Sequence, residues 1–134
     1  MAHHPTKNDS GYRTFLDDDT GDFDAGAPLI VELNADGITV APVTVVTRAI
    51  GIFDGKIDVT ATGDNLHNNV RLLNSGGTAL VKTSGAITQA AGGTAVSVAV
   101  GGTVVTGAAN QIGILVGPTA ASGDIVEIML VAQV

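Results

Sequence analysis

From Pro28 onward the chain alternates short runs of branched apolar residues with clusters of Gly, Asp, Asn, Ser and Thr, the rhythm of strands and turns. PLIVELN (28–34) predicts a strand, and Ala35-Asp36-Gly37 its turn. ITVA (38–41) and VTVVTRAIGIF (43–53) continue the strand text. Pro42 interrupts them; it has no amide hydrogen for a ladder and so implies an edge or a bulge. Asp54-Gly55 predicts a hairpin, because this pair tolerates the positive φ angles of a type I′ turn. KIDVTAT (56–62) places Ile57, Val59 and Ala61 on one face and Lys56, Asp58 and Thr60 on the other. GDNLHNN (63–69) reads as a polar loop. VRLL (70–73), TALVKT (78–83), TAVSVAV (94–100), TVVT (103–106), IGILV (112–116) and IVEIMLVAQV (125–134) complete the strands.

Turn signals recur every 8 to 16 residues, the spacing of a sandwich or barrel. Gly-Gly-Thr occurs at 76, 92 and 101, each time opening a predicted strand, at intervals too uneven for a solenoid. AITQAA (86–91) is the one place where a short helical turn is expected. In the last strand Val126, Ile128 and Leu130 face one way, and Ile125, Glu127, Met129 and Val131 the other. Both faces are largely apolar, and in so small a domain two-sided burial implies a partner subunit. Residues 1–26 differ from the rest. They hold six acids, two bases and three of the four aromatics, with neither strand nor helix periodicity, and are expected to be an extended arm outside the core. The expected organisation is therefore an arm over 1–26 and one all-β domain, a small barrel or sandwich, over 27–134.

Composition narrows the function more than the fold. The 134 residues suffice for one ordinary domain. With 18 glycines and few aromatics, the core must be built from Val, Ile, Leu and Ala. A formal charge of −7 opposes binding to phosphate backbones, so no nucleic acid is expected as a partner. No cysteine is present for disulfide or thiolate chemistry. Thr83–Gly123 carries no charge but is interrupted by polar residues throughout, so no segment is expected to cross a membrane. MAHHPTKNDSGYR offers no apolar leader, which implies synthesis in the cytoplasm.

The motifs that could carry chemistry fail on spacing. LDDDTGDFDAG (16–26) packs five carboxylates into eight positions. An EF-hand needs acids at positions 1, 3 and 5, Gly at 6 and Glu at 12, and no register of this stretch supplies them. Paired catalytic carboxylates need burial and a fixed separation, which an arm does not provide. GIFDGKI (51–57) has three residues between its glycines and Ile after Lys56, where a phosphate-binding loop has four and Ser or Thr. His67 has no other His or Cys in the domain to join it, and His3-His4 would bind a metal only weakly. Arg48 and Arg71 are expected to pair with Glu32, Asp58 or Glu127. Neither a catalytic site nor a cofactor or metal site is expected, and a binding or structural protein is favoured over an enzyme.

From Val70 onward the text resembles the small capsid cement, or head decoration, proteins of tailed bacteriophages. TALVKTSGAIT, IGILVGPTAASGD and the closing IVEIMLV carry the resemblance, more loosely from Pro28. It implies a compact β-barrel or sandwich, β-tulip-like, forming a homotrimer on the outer surface of the capsid in the virion. There it would clamp neighbouring major capsid protein subunits. On this reading Tyr12, Phe15, Leu16 and Phe23 are the arm's anchors, and Asp17, Asp18 and Asp19 steer it onto basic capsid patches. Ile125, Ile128, Met129 and Leu130 are the expected trimer contacts. A phage tail or fibre module, or a surface-adhesin subunit, is the alternative that Thr- and Gly-rich β sequence also fits.

Overall fold

A computed structural model describes residues 11–17, 27–56 and 67–131 of the chain. Its first sheet comprises β1 (Tyr12–Asp17), β2 (Ile30–Leu33), β3 (Thr39–Pro42), β4 (Ala49–Lys56) and β5 (His67–Leu72). The order is β1-β3-β2-β4-β5, and β1 pairs in parallel with β3 and antiparallel with β5, so the pairing closes into a ring. The second sheet comprises β6 (Thr78–Lys82), β7 (Ala95–Val98), β8 (Val104–Thr106), β9 (Gln111–Val116) and β10 (Ile125–Leu130), in the antiparallel order β6-β10-β9-β7-β8. Among the described residues the only helical pieces are single 3-10 turns at Val46–Arg48 and Leu73–Ser75. The all-β expectation holds.

Two apolar clusters fill these sheets. The smaller takes one buried residue from each strand of the ring: Phe15, Val40, Val31, Phe53 and Val70. The larger joins the ring to the second sheet, with Ile30, Val43, Ile52 and Leu73 packed on Val81, Val96, Val104, Ile112, Leu115, Val126 and Ile128, among others. β2 and β4 therefore bury both faces, Ile30 and Ile52 toward the second sheet, Val31 and Phe53 toward the ring interior. That is why IGIF reads as a continuous apolar run, while in IVEL the run is broken by Glu32, itself buried. β10 shows the opposite pattern of strict alternation, with Val126, Ile128 and Leu130 buried and Ile125, Glu127 and Met129 exposed.

Four local expectations are corrected. Residues 12–17 do not lie outside the core: they form β1, and Phe15 is buried. The strand was hidden because the exposed Arg13 shares the parity of the buried Phe15, so apolar alternation is lost. Asp54-Gly55 makes no hairpin. β4 runs through it to Lys56, and the register against β5 shifts between Phe53 and Gly55, a bulge with Asp54 exposed. Residues 43–48 are not strand, since the chain leaves β3 at Pro42 and turns through Val46–Arg48. His67 and the two asparagines after it belong to β5 rather than to a loop.

AITQAA forms no helical turn either. Ile87 is fully buried and bridges to Ala120, while Gln89 ties down two loops. Its Nε2 donates to the carbonyls of Leu115 (2.8 Å) and Gly117 (2.9 Å), and its Oε1 accepts from the amides of Ala90 and Thr94. One amide side chain thus replaces backbone partners that a helix would have supplied.

The three Gly-Gly-Thr triplets do open β6, β7 and β8, and all six glycines have positive φ. Within each pair the two glycines have different neighbours. A side chain on Gly76, Gly92 or Gly101 would meet open space. One on Gly77, Gly93 or Gly102 would collide, with Arg71, Ile114 and the Leu29-Ile30 backbone respectively. At Gly102 an added Cβ would lie 2.6 Å from the Ile30 carbonyl oxygen and 3.0 Å from Leu29 Cβ. Gly101→Ala is therefore expected to cost about 1–2 kcal/mol through its φ alone, and Gly102→Ala about 1–3 kcal/mol more through the clash. Urea unfolding of the two variants checks the difference, and equal losses would remove the close approach as its cause.

Candidate functional site

The outward side chains of β6, β10 and β9 lie in register. Leu80, Glu127 and Val116 form one row, and Thr78, Met129 and Ile114 the next. Ile125 sits beside Lys82 at one end. Leu80 is 52% exposed, Ile125 56%, Met129 44% and Val116 41%. Their strands already bury Val81, Val126, Ile128 and Leu115 on the other face, so this is a second apolar surface beyond the core's needs. Contiguous exposed apolar residues rimmed by charge are the usual mark of a contact surface. Glu127 in its middle and Lys82 at its edge add polar anchors that would orient whatever lies on it.

The expected trimer contacts divide on this geometry. Ile125 and Met129 lie on the exposed face, whereas Ile128 (0% exposed) and Leu130 (6%) point into the chain's own core. Period-two alternation puts neighbouring residues on opposite faces, so all four cannot serve one interface. Leu80 and Val116 share the exposed face with Ile125 and Met129; the alternation in TALVKT, with Val81 inward, was the signal for Leu80.

The expected arm residues divide as well. Tyr12 and Arg71 are register partners, with the guanidinium carbon 4.9 Å from the ring centroid, and Arg71 also donates to the Gly76 carbonyl at 2.6 Å. Arg71 thus meets an aromatic face and a carbonyl. Leu16 is half-buried and pairs with Thr39 and His67; Asp17 pairs with Val40. Phe15 is committed to the ring interior and is not available as an anchor in this conformation. Asp18, Asp19, Phe23 and Asp58 lie outside the described residues.

Two of the described carboxylates, Asp36 and Glu32, serve structure. A groove of about 560 Å³ lies between residues 13–16 of β1 and residues 36–38 of the following turn. Asp36 at its edge is occupied: Oδ1 accepts from the amides of Ile38 (2.8 Å) and Thr39 (2.9 Å), and Oδ2 from the Thr39 hydroxyl. The Thr39 and Ile38 amides hold its pKa below the ordinary value, the reverse of what a general acid needs. Glu32, buried in β2, accepts a 2.6 Å bond from the Thr44 hydroxyl and a longer one from the Val45 amide. Burial pushes its carboxyl up, but the Thr44 and Val45 bonds together with the Arg48 charge outweigh that and leave it lowered. Arg48 thus faces Glu32 as expected, at the level of charge. Among the described residues no three His, Cys, Asp or Glu side chains come together as metal ligands would.

Both lowered carboxyls favour the ionised form in the folded state. Their contribution is present above the unfolded values of 4.5 for Glu32 and 3.8 for Asp36, and is lost as pH falls through the lower folded values. Stability is thus expected to decline below pH 4.5, and Glu32→Gln to flatten part of that decline while lowering stability at pH 7. Denaturant titrations at stepped pH check this; an unchanged acid limb in the variant would contradict the role of Glu32. Set beside known proteins, the chain matches no family model, no curated protein and no solved structure.

Proposed function

We propose that the chain is a head decoration protein of a tailed bacteriophage. It sits as a homotrimer on the outer surface of the capsid and holds neighbouring major capsid protein subunits together. The observation that carries the reading is the apolar outer face of β6-β10-β9, on a domain whose core is already complete without it. A protein whose product is adhesion needs such a face and no reactive centre. The sequence resemblance from Val70 onward covers all five strands of the second sheet, the part that bears this face. Ile125 and Met129, with Leu80 and Val116, make the subunit contacts, and the residues before β1 reach for the capsid.

Cement function also requires many weak attachments acting together. A single apolar side chain contributes about 1.5–3 kcal/mol when fully buried, much of which the ordering of its segment offsets. Three copies held in one trimer raise the effective concentration of the second and third contacts, multiplying affinity by about 10²–10⁴. Subunit contact and head binding are therefore coupled.

Co-sedimentation with expanded, undecorated heads tests this. The full chain should bind saturably, and I125D/M129D should be a monomer by sedimentation velocity with head affinity reduced by about 10² or more. A chain beginning at Gly11 keeps β1 and isolates the first ten residues; one beginning at Ala27 would also remove Phe15 from the core and confound the comparison. No binding by the full chain would sink the decoration reading in favour of a tail or fibre module. Unchanged binding by the double variant would remove the subunit contact.

A further inference from the structure

We propose that β1 is an exchanged strand: the slot between β3 and β5 of one chain is filled by the Tyr12–Asp17 strand of a second copy. This does not rest on the capsid reading. Three observations carry it, beginning with the separability of β1 from the folded body. No β1 residue belongs to the larger cluster that joins the two sheets, and Phe15 is its sole buried contribution to the smaller one. If β1 leaves, Ile30, Val43, Ile52 and Leu73 remain packed on the second sheet, and only the five-residue layer opens.

Next is how β1 is held. Its pairing with β5 runs from Tyr12↔Arg71 to Leu16↔His67, and its closing seam with β3 has two pairs, Leu16↔Thr39 and Asp17↔Val40. The Gly11 carbonyl accepts one more bond, from the Leu72 amide. These are main-chain contacts plus the side chains of Phe15, in the ring cluster, and Tyr12, over Arg71, and an identical strand from another copy makes them equally well. An empty slot would leave β3 and β5 as unpaired edges over an apolar layer, an arrangement that a neighbouring strand fills readily.

The third observation is the length of the connection. Asp17 lies beside Val40 and Val40 beside Leu33, two strand spacings or roughly 10 Å. Ile30 is three residues further along β2, roughly another 10 Å. Pro28 and Leu29 are already bonded to the Lys82 and Phe53 amides, so residues 18–27 make the connection, and ten residues can reach about 33 Å. That is longer than closure within one chain requires and leaves slack for the slot of an adjoining copy. Exchange around a closed oligomer leaves every slot filled, so no strand contact is lost in making it.

The natural chain has no cysteine, which makes the test direct. Thr14 and Asn69 are register partners between β1 and β5, on the side of the strands opposite Phe15. Chains carrying T14C alone and N69C alone are mixed in urea, refolded together and oxidised. Exchange predicts a T14C–N69C disulfide at twice the mass of one chain. Mixing T14C with V100C, on the exposed β7–β8 turn, should give none. The double variant T14C/N69C should give a covalent ladder that ends at the number of chains in the oligomer. A double variant that closes as a monomer, with no mixed product, overturns exchange. Equal yields from the Val100 control, or no disulfide in any sample, overturn it as well.

Discussion

The fold depends on a main-chain seam at Ile30. Its amide donates to the Gly102 carbonyl at 2.7 Å, and its own carbonyl accepts from the Val43 amide at 3.0 Å. Val43 in turn accepts from the Gly101 amide at 2.8 Å, and the neighbouring Leu29 carbonyl takes the Phe53 amide. The β7–β8 turn of the second sheet is thereby bonded to the first. The Ile30 side chain, fully buried, sits in the cluster that both sheets share. Backbone groups that would be costly to bury unpaired instead form the joint between the layers.

Such a joint requires backbones to approach more closely than side chains permit, and this explains where glycine falls. The first glycine of each pair needs only its φ; the second also needs the absence of a Cβ. The same economy recurs at Gly51 and Gly113, inside strands, where a Cβ would meet the Arg71 and Met129 carbonyls. A chain with few aromatics fills its interior by bringing sheets together rather than by inserting large rings. Phe53 and Phe15 are the exceptions, and both belong to the ring layer, where five strands leave a space that valines alone would not fill.

Much of this was legible in the sequence. Every strand of the second sheet was expected within a few residues, because its apolar runs are separated by glycine-rich turns, glycine pairs before β6, β7 and β8. The first sheet was harder, for three physical reasons. Strands buried on both faces lose their alternation, so the end of β4 was read from Asp54-Gly55, a pair that serves a bulge as well as a turn. β1 carries the exposed Arg13 two residues from Phe15, with its guanidinium carbon 4.9 Å from that ring's centroid, and looks polar where it is structural. His67 and its asparagines form half of the β1 pairing through backbone atoms, which composition does not report. The candidate surface was half legible. The last strand announced two apolar faces, but only closure of the core by Val126, Ile128 and Leu130 shows which one remains for a partner.

Charge distribution links the two sheets to association. Eleven of the thirteen acids and all six bases lie at or before Lys82, and the uncharged stretch from Thr83 to Gly123 supplies β7, β8 and β9. The strands of the second sheet carry only Lys82 and Glu127 as charged residues, and the same sheet has the surplus apolar surface. Glu127 is the exception in the middle of that face. A lone carboxylate among Leu80, Val116 and Met129 is costly against a featureless apolar partner and favourable against one that offers a cation. It therefore narrows what can dock more than it strengthens docking.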